Sequence, residues 1–461
     1  MEDPTAAVPP GHENLRAFWD QLDDAQRDRL LCEVREIDFD LIERLYQGRN
    51  DQHDLRDLLS RAKPPPAFRL DTARNRFTPE QARQRAERAL REGLFGVILV
   101  AGGQGTRLGF DHPKGMFPLG PVSGRSLFQI HVEKILAATN RYDARIPLYL
   151  MTSPATHEET VRFFDEHDRF GLAEEDLNIF CQGTMPAVDE ATGKVLLDRP
   201  DRVAASPDGH GGMLAALARS GMLDDMHRRG IRHLFYLQVD NPLVDICGPQ
   251  FLGYHLLCDC EMSTQVIAKR EPFEKVGNVV QVDGKLMVVE YSDLPDDVAR
   301  RRRADGTLEI WAGSIAVHVL DLGLLGRAAE SAEALPFHLA HKRVAYVDPS
   351  GRRIEPRRPN AIKFERFIFD LMPLAARAIV VEIDPDEGFA PLKNASGAEQ
   401  DTAETAKAAM VAQHRRWLEA AGMEVAEGVA VEISPLWALD AAEVAEKIEP
   451  GMKVTEAMYF H

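Results

Sequence analysis

The chain has 461 residues, of which 44% are hydrophobic, and its 55 lysines and arginines against 73 aspartates and glutamates give a formal net charge of −18. This length is too great for one ordinary core and indicates two or three domains. The acidic balance disfavours a long nucleic-acid duplex as partner, whereas a small anion can still bind where positive side chains cluster. The apolar runs reach only about eight residues, far short of the ~20 that span a membrane, so we expect no membrane contact.

The N-terminal part of the chain is predicted to be helical. Apolar residues recur at helical intervals between residues 12 and 60, which is typical of a pair of amphipathic helices. Thr78, Pro79 and Gln81 follow as an N-cap, a proline at the first helical position and a capping-box glutamine. We expect the helix that they start to end near Gly93, because glycine adopts the left-handed conformation that terminates many helices.

The character of the sequence changes after residue 93, where short apolar runs rich in β-branched residues alternate with helical stretches. Strands are predicted at 94–101, 146–153, 177–183, 233–241, 262–268 and 378–384, and helices between them at 126–139 and 211–229. This alternation predicts an α/β fold with a mostly parallel, doubly wound sheet. Within residues 276–293, two alternating runs flank Asp283-Gly284, which predicts a β-hairpin.

The five cysteines are an odd number without a regular spacing, and the sequence begins without a signal peptide. Both features predict a reducing, cytoplasmic location. Cys258 and Cys260 are separated by one residue, but no second cysteine or histidine pair follows at a zinc spacing. Core packing is therefore the favoured interpretation of these two thiols.

A glycine-rich loop follows the first predicted strand of the sheet. Residues 99–120 have the sequence LVAGGQGTRLGFDHPKGMFPLG, and a backbone without Cβ atoms can approach a base or a phosphate closely. Leu108 replaces the third glycine of a dinucleotide-binding fingerprint, and Pro113 replaces the glycine before the lysine of a Walker loop. The pattern favours a nucleoside triphosphate along the loop, with Arg107 and Lys114 neutralising its phosphates. The alternative is a tight turn with surface charges.

Asp240 ends the apolar run of the predicted strand at 233–241. A carboxylate at the carboxyl end of a parallel strand lies where ligands bind in open α/β folds. Mg²⁺ is typically held by one or two carboxylates together with phosphate oxygens, so Asp240 is a candidate metal ligand. The alternative is an aspartate that caps the turn formed by Asn241 and Pro242.

Seven further blocks follow the glycine loop: FCQGTMPAVD (180–189), SPDGHGGMLAAL (206–217), YLQVDNPLV (236–244), VGNVVQVDGKLMVVEYSDLP (276–295), FHLAHKRVAYVD (337–348), NAIKFERFIFDLMPLA (360–375) and APLKNA (390–395). With the glycine loop, these blocks between about residues 95 and 435 resemble, in the same order, those of the UTP:sugar-1-phosphate uridylyltransferases, which make UDP-sugars. The glycine loop resembles the signature loop of that family. The resemblance is strongest to the UDP-N-acetylglucosamine pyrophosphorylases.

The resemblance implies a Rossmann-like, GT-A-like nucleotidyltransferase fold with a mixed sheet. We expect a helical N-terminal segment (1–92), a catalytic domain (93–406) and a small C-terminal domain (407–461), in a monomer or weak homo-oligomer. The implied reaction joins UTP and a sugar 1-phosphate, N-acetylglucosamine 1-phosphate or glucose 1-phosphate, into UDP-sugar and pyrophosphate. A non-catalytic nucleotide-sugar binding protein on the same fold is the alternative. A glycosyltransferase would usually need an Asp-x-Asp motif, which is absent at Asp240.

The resemblance also implies a set of site residues. Lys393 would act on the phosphates at the reacting centre together with Arg107 and Lys114, and Asp240 would hold Mg²⁺ or Mn²⁺. The uracil would lie between the glycine loop, a glutamine and the PDG turn. The nucleotide-binding residues would be Gly102, Gly103, Gln104, Gly105, Thr106, Gln182, Pro207, Asp208 and Gly209, and the sugar-binding residues His210, Gly277, Glu290, Tyr291 and Ser314.

The sugar-binding blocks depart from the pattern of the acetylhexosamine branch. That branch has AGNIANH where this chain has AGSIAVH, so Ser314 and Val317 replace two asparagines. His210 replaces the asparagine of the PDGNGG turn and resembles the glucose-1-phosphate branch, whereas Glu290 and Tyr291 match the acetylhexosamine branch. We expect Val317 to place an apolar surface towards the ligand. The loss of two amides therefore predicts a weaker demand for the N-acetyl group.

Overall fold

A computed structural model describes residues 8–48, 52–331, 334–449 and 451–461. Its helices are α1 (Asp24–Arg35), α2 (Phe39–Gln47), α3 (Gln52–Ser60), α4 (Pro79–Arg91), α5 (Leu127–Tyr142), α6 (His157–Glu166), α7 (Met213–Arg219), α8 (Met222–Arg228), α9 (Pro249–Leu257), α10 (Asp296–Ala299), α11 (Leu322–Ala329), α12 (Pro385–Gly388), α13 (Ala403–Ala420) and α14 (Ala441–Lys447).

The first strands are β1 (Ala67–Phe68), β2 (Phe95–Val100), β3 (Leu148–Thr152), β4 (Leu177–Cys181), β5 (Thr184–Pro186), β6 (Val188–Asp189), β7 (Leu197–Arg199), β8 (Arg202–Val203), β9 (Ala205–Pro207), β10 (His233–Gln238), β11 (Met262–Ala268) and β12 (Gly277–Val282). The later strands are β13 (Lys285–Val289), β14 (Ala312–Asp321), β15 (His338–Lys342), β16 (Tyr346–Val347), β17 (Arg353–Ile354), β18 (Ala361–Glu365), β19 (Ala378–Glu382), β20 (Glu424–Val425), β21 (Val431–Ile433), β22 (Lys453–Val454) and β23 (Met458–Phe460).

The chain divides into two units, each assembled from three stretches of sequence. The smaller unit comprises Met1–Leu58, Gln182–Ala215 and Ala332–Asp370, and the larger unit comprises Leu59–Cys181, Ala216–Ser331 and Leu371–His461. This division into units does not test the domain boundaries expected at residues 92 and 406, which stay a prediction.

The larger unit is built on one mixed sheet in the order β1-β19-β11-β14-β10-β2-β3-β4, with the hairpin β12-β13 joined to β14. Neighbouring strands on this path pair in parallel, except that β14 pairs antiparallel with both β10 and β11. The predicted α/β class with a mostly parallel sheet is confirmed. The six predicted strands correspond to β2, β3, β4, β10, β11 and β19, and the hairpin turns at Asp283-Gly284 as expected.

The sequence pattern does not predict β14. Its ten residues include a bulge, where the register with β11 shifts between Thr264 and Val266 and Ala316 has a φ of +57°. The helix predicted at 211–229 is likewise interrupted, because Gly221 has a φ of +71° and separates α7 from α8.

Helix α4 begins as its sequence predicts. Thr78 Oγ1 accepts a hydrogen bond from the Gln81 N–H at 3.2 Å, and Gln81 Oε1 accepts one from the Thr78 N–H at 2.9 Å. The helix ends at Arg91, and Gly93 has a φ of +69°. This reciprocal cap satisfies two N–H groups that would otherwise lack partners at the helix start.

The smaller unit has its own core. The helical prediction for residues 12–60 is confirmed, but the described part of this region has three α-helices, α1, α2 and α3, and not a pair. Helices α1 and α2 contribute Leu30 and Ile42 to this core, and β6 and β18 contribute Val188 and Phe364. A separate apolar cluster between Leu418 and Val454 lies in the C-terminal part of the larger unit. Among the described residues, no helix is both long and apolar enough to cross a bilayer.

Candidate active site

The glycine loop of the larger unit is folded by its own main chain. The Gly105 N–H donates to the His112 carbonyl at 2.8 Å, and the Lys114 N–H donates to the Gly103 carbonyl at 3.0 Å. From the neighbouring strand end, the Ser153 hydroxyl donates to the Gly102 carbonyl at 2.7 Å. These bonds turn several carbonyl groups of the loop towards the protein and fix its path beyond β2.

The glycines of the loop have different reasons to be there. A Cβ on Gly105 would lie 2.6 Å from the Phe110 carbonyl oxygen, so packing requires glycine at this position. A Cβ on Gly103 would meet nothing within 4 Å, so the open space beside it is available to a ligand. Arg107 is exposed in the short 3-10 turn Thr106–Leu108.

Lys114 and Asp240 lie together at the carboxyl edge of the sheet. Strands β2 and β10 are parallel neighbours and end in register at Val100 and Gln238, so the segments that follow them emerge side by side. The Lys114 Nζ atom is 3.8 Å from the Asp240 Oδ2 atom, and their side chains are 18% and 13% exposed. A cation and a carboxylate that are both reachable from solvent at this edge suit the binding of a phosphate and its counter-ion.

Lys393 belongs to the same edge, although it lies far along the chain from Asp240. The N–H of the preceding residue, Leu392, donates to the Asp240 carbonyl at 2.8 Å, and the Lys393 Nζ atom is 6.0 Å from the centre of the Phe389 ring. Burial raises the pKa of the Asp401 carboxyl, while Lys393 lowers it and Asp240 raises it further. The charges of these three side chains therefore lie within electrostatic reach of one another.

Three of the predicted sugar-binding residues lie together on the hairpin and β14. Gly277 and Ser314 are direct partners between β12 and β14. A Cβ on Gly277 would lie 3.8 Å from the Ser314 Cβ and 4.0 Å from Glu290 Oε1. Tyr291 is the next residue after Glu290 and is 45% exposed. The hairpin register thus brings residues from three separate parts of the sequence onto one surface.

The prediction that Val317 faces the ligand is wrong. Its side chain is only 1% exposed and packs in the main core of the larger unit. Residues three apart on a strand face opposite sides of the sheet, and Val317 shares its core-facing side with Ile315 and Val319, whereas Ser314 lies on the other face. The residue at position 317 therefore gives no information about which sugar is preferred.

In the smaller unit, the PDG turn is packed against the main chain of Arg366. Gly209 has a φ of +81°, and a Cβ there would lie 2.3 Å from the Arg366 carbonyl oxygen. The Gly211 N–H donates to that oxygen at 2.8 Å, and the Arg366 N–H donates to the Asp208 carbonyl at 2.8 Å. The turn consequently requires glycine for two independent reasons, its backbone conformation and the close approach of a neighbouring strand end.

The remaining predicted residues of the smaller unit differ in exposure. Gln182 is 7% exposed, and Pro207 is an exposed residue of β9, which pairs with β5. The buried Asp208 carboxylate lies against Gly212, where a Cβ would be 1.9 Å from Oδ1. The nucleotide-binding roles expected for these residues stay predictions.

His210 is held in one chemical form by its surroundings. Its Nδ1 atom accepts a hydrogen bond from the Ile368 N–H at 3.3 Å, and its ring stacks on Phe367 at 5.1 Å between centroids. Burial, with a smaller contribution from His338, lowers the pKa of His210 to about 4. The imidazole is therefore neutral near pH 7 and carries its proton on Nε2, which makes that atom a hydrogen-bond donor.

Residues that support the site are not evident from the sequence. On α5, His131 Nε2 donates to the Val239 carbonyl at 3.0 Å, and Lys134 donates to the carbonyls of Pro242 and Val244 at 2.6 and 2.8 Å. Burial lowers the pKa of Lys134 to about 8. These bonds hold the chain on both sides of Asp240. The helical spacing of His131 and Lys134 predicts only that they lie on one helix face, so sequence reasoning misses them.

Comparisons with known proteins identify the family of the chain. The model of the family described as UTP–glucose-1-phosphate uridylyltransferase matches residues 39–447. The chain is 38% identical over 428 residues to the UDP-N-acetylhexosamine pyrophosphorylase-like protein 1 of Homo sapiens, covering 89% of this chain and 84% of that protein. It is 39% identical over 354 residues to the UDP-N-acetylglucosamine pyrophosphorylase of Saccharomyces cerevisiae, covering 75% and 74%.

A solved structure gives the same result. The uridine diphosphate N-acetylglucosamine pyrophosphorylase from Trypanosoma brucei, crystallised in complex with an inhibitor, aligns with a TM-score of 0.79 at 27% identity and covers 97% of this chain and 95% of that one. The family predicted from the sequence blocks, including the greater similarity to the acetylglucosamine branch, is confirmed. From its match over residues 39–447, together with these relatives, the chain belongs to the UTP–glucose-1-phosphate uridylyltransferase family.

Proposed function

We propose that this chain transfers a uridylyl group from UTP to a sugar 1-phosphate on a GT-A-like nucleotidyltransferase fold. An oxygen of the sugar phosphate attacks the α-phosphorus in line, a new P–O bond forms, and the bond to the bridging oxygen of the β-phosphate breaks. Pyrophosphate leaves with that electron pair, and the product is UDP-sugar. No bond to the protein is needed, so catalysis rests on positioning and on neutralisation of charge.

The observation that carries this proposal is the pair of Lys114 and Asp240, 3.8 Å apart at the ends of two parallel strands. Lys114 offers a positive charge to the phosphates, and its main chain is bonded to the glycine loop. The family and its relatives named as UDP-N-acetylglucosamine pyrophosphorylases favour an enzyme over a non-catalytic binding protein.

The individual roles follow from charge and position. Arg107 and Lys114 would stabilise the departing pyrophosphate, and Lys393 would hold the incoming phosphate and the charge that develops in the transition state. The main chain of Gly102–Thr106 would bind the nucleotide, with Gly103 supported for this role by the open space beside it. The charges that act on the phosphates thus come from two distant parts of the chain.

Asp240 also fits a magnesium ion. Its Oδ2 atom is farther from Lys114 Nζ than a hydrogen bond reaches, so the carboxylate keeps lone pairs for a cation. In the part of the chain that the structure describes, no group of three or more histidine, cysteine, aspartate or glutamate side chains is placed to hold a metal. Phosphate oxygens would complete the coordination, as is usual for Mg²⁺. When bound, Mg²⁺, or Mn²⁺ in its place, supplies charge neutralisation at the phosphates.

We propose N-acetylglucosamine 1-phosphate or glucose 1-phosphate as the sugar substrate. The grouping of Gly277, Glu290 and Ser314 supports a sugar-binding surface on the hairpin, which Tyr291 would extend. His210 keeps its expected sugar-binding role as a prediction, and its imidazole is neutral near pH 7. Because Val317 lies in the core, only Ser314 and His210 support a weak preference for the N-acetyl group.

A coupled assay of pyrophosphate release tests the proposal. The chain is incubated with UTP, Mg²⁺ and a panel of sugar 1-phosphates, and reactions without a sugar phosphate serve as the blank. We expect pyrophosphate release that depends on UTP and on a hexose 1-phosphate, and a large loss in the Lys393→Ala variant. Binding of UDP-sugar without any release would favour the non-catalytic alternative.

The cellular location, the binding partners and the oligomeric state also stay predictions. None of the five cysteines, which all lie in described parts of the chain, is in a disulfide, and Cys247 and Cys260 are buried, which supports the proposed reducing cytoplasm. UTP, sugar 1-phosphate and pyrophosphate are the proposed partners. We do not expect nucleic acid or a membrane to bind, and we expect a monomer or a weak homo-oligomer.

A further inference from the structure

Asn241 lies directly after the proposed metal ligand and is 3% exposed. Its side-chain amide makes three hydrogen bonds. Nδ2 donates to the Gly388 carbonyl at 2.8 Å, and Oδ1 accepts from the N–H groups of Ala390 at 3.1 Å and Leu243 at 3.3 Å. The amide therefore joins the end of β10 to a segment almost 150 residues later.

That segment leads straight to Lys393. The Leu392 N–H donates to the Asp240 carbonyl at 2.8 Å, so the bridge from Asn241 is continued by the main chain up to the residue before the lysine. Gly388 and Ala390 are both buried, so their polar groups depend on partners within the protein. An unpaired buried carbonyl or N–H is costly, which makes the segment sensitive to the amide.

Lys393 is held from its other side as well. The Asp401 carbonyl accepts hydrogen bonds from the N–H groups of both Lys393 and Asn394, at 2.8 and 2.9 Å. Asp401 has a φ of +59°, a strained conformation for a residue other than glycine. The backbone of Lys393 is thus fixed between the end of β10 and the start of α13.

An asparagine is well matched to this place. Its amide offers a donor and an acceptor at the same distance from the main chain, and the bridge uses both. Aspartate lacks the donor, and serine is too short to reach the same three groups. The choice of residue after Asp240 is therefore set by the segment at 388–392 and not only by the turn that Pro242 forms.

We infer that Asn241 is a positioning residue, which fixes the Lys393 ammonium relative to the Asp240 carboxylate. The inference rests on the proposed function, in which both groups act on the phosphates. Asn241 acts through these two residues and donates nothing to the substrate. A displacement of a reacting group by about 1 Å can cost roughly 10²-fold in rate, so the loss of the bridge is expected to lower kcat strongly.

The test compares Asn241→Ala, Asn241→Ser and Ala390→Pro with the unchanged protein in the pyrophosphate-release assay. Ala390→Pro removes one N–H donor to Asn241, and Phe389 already has the extended backbone (φ −143°, ψ 101°) that a residue before proline adopts. Asn75→Ala is the matched control, because Asn75 makes a two-bond amide bridge to the Arg69 main chain.

We expect Asn241→Ala to lower kcat by roughly 10²-fold while KM for UTP changes by less than about threefold. The decisive measurement combines Asn241→Ala with Lys393→Ala. If Asn241 acts through Lys393, the double variant loses little more activity than Lys393→Ala alone. Asn75→Ala is expected to keep its turnover. Thermal unfolding of each variant verifies that it is folded.

Several outcomes would overturn the inference. These are unchanged kcat in the Asn241 variants, a loss confined to KM, or losses from Asn241→Ala and Lys393→Ala that simply add. If the Asn241 variants do not fold, the kcat and KM of Ala390→Pro test the positioning role by the same criteria. If none of the three variants folds, Asn241 is assigned a role in folding alone. Absence of pyrophosphate release by the unchanged protein would overturn the proposed function, whereas an active protein with indifferent variants would overturn only the role of Asn241.

Discussion

At the carboxyl edge of the larger unit, the important side chains are partly exposed charges, whereas the PDG turn of the smaller unit is defined by close backbone packing. Lys114 and Asp240 can each be replaced by a neutral side chain of similar size without disturbing a packed interior. Gly209 cannot accept even one methyl group, because Arg366 occupies that space. Mutations in the first region should therefore change chemistry, and mutations in the second should change stability.

The largest effect is expected for Asp240→Asn. The substitution keeps the shape of the side chain and removes the charge proposed to hold Mg²⁺, so kcat should fall by roughly 10²-fold or more while the thermal midpoint stays nearly unchanged. Pyrophosphate release at several Mg²⁺ concentrations measures this loss. Asp283→Asn, in the exposed hairpin turn, is the control. Near-normal turnover of Asp240→Asn would show that the metal is not held there.

Gly209→Ala tests the expectation that mutations in the PDG turn of the smaller unit change stability. The added Cβ would collide with the Arg366 carbonyl oxygen and would require a residue with a side chain to adopt a φ of +81°. We expect the free energy of unfolding to fall by about 2–4 kcal/mol, measured by urea denaturation. Gly103→Ala is the matched variant, since open space surrounds its Cβ, and it should keep its stability while binding UTP more weakly. Equal stability of the two variants would contradict the steric argument.

Within the larger unit, the preference between sugar phosphates distinguishes the roles of Ser314 and the buried Val317. If Ser314 accounts for a weak demand for the N-acetyl group, the unchanged protein should use the two sugar phosphates with kcat/KM values within about a hundredfold of each other. Ser314→Asn should shift this ratio towards the acetylated sugar by roughly tenfold. Val317→Asn places a polar amide in the core and should lower stability without shifting the ratio. A strong preference for the acetylated sugar in the unchanged protein would mean that other residues recognise the acetyl group.

The smallest expected effect concerns pH. Burial lowers the pKa of His210 to about 4, so between pH 6.5 and pH 4 the unfolded chain binds a proton that the folded chain does not. Stability attributable to this histidine is therefore complete above pH 6.5 and is lost as the pH falls towards 4. His210→Phe should make the thermal midpoint less sensitive to pH in this range. His131 in the larger unit also has a pKa lowered to about 4 by burial and will retain part of the dependence.

The features predicted well from the sequence are those with short-range causes. The cap at Thr78, the turn at Asp283-Gly284 and the apolar strands are encoded by neighbouring residues, and the structure reproduces them. The place of Asp240 at a strand end follows equally from a local pattern. The failures have two causes. Val317 lies with Ile315 and Val319 on the core-facing side of β14, and comparison of motif residues does not show which face of a strand each one takes. The bridge made by Asn241 is missed because its partners lie almost 150 residues away.

Strand β14 separates two sets of side chains in the larger unit. It runs antiparallel to its neighbours and is joined to the hairpin with Gly277 and Glu290, whereas Lys114 and Asp240 follow the parallel strands β2 and β10. The groups proposed to contact the sugar and this pair proposed to act on the phosphates are therefore on different strands. The hairpin is thus the place to redesign sugar specificity while the pair at the sheet edge stays unchanged.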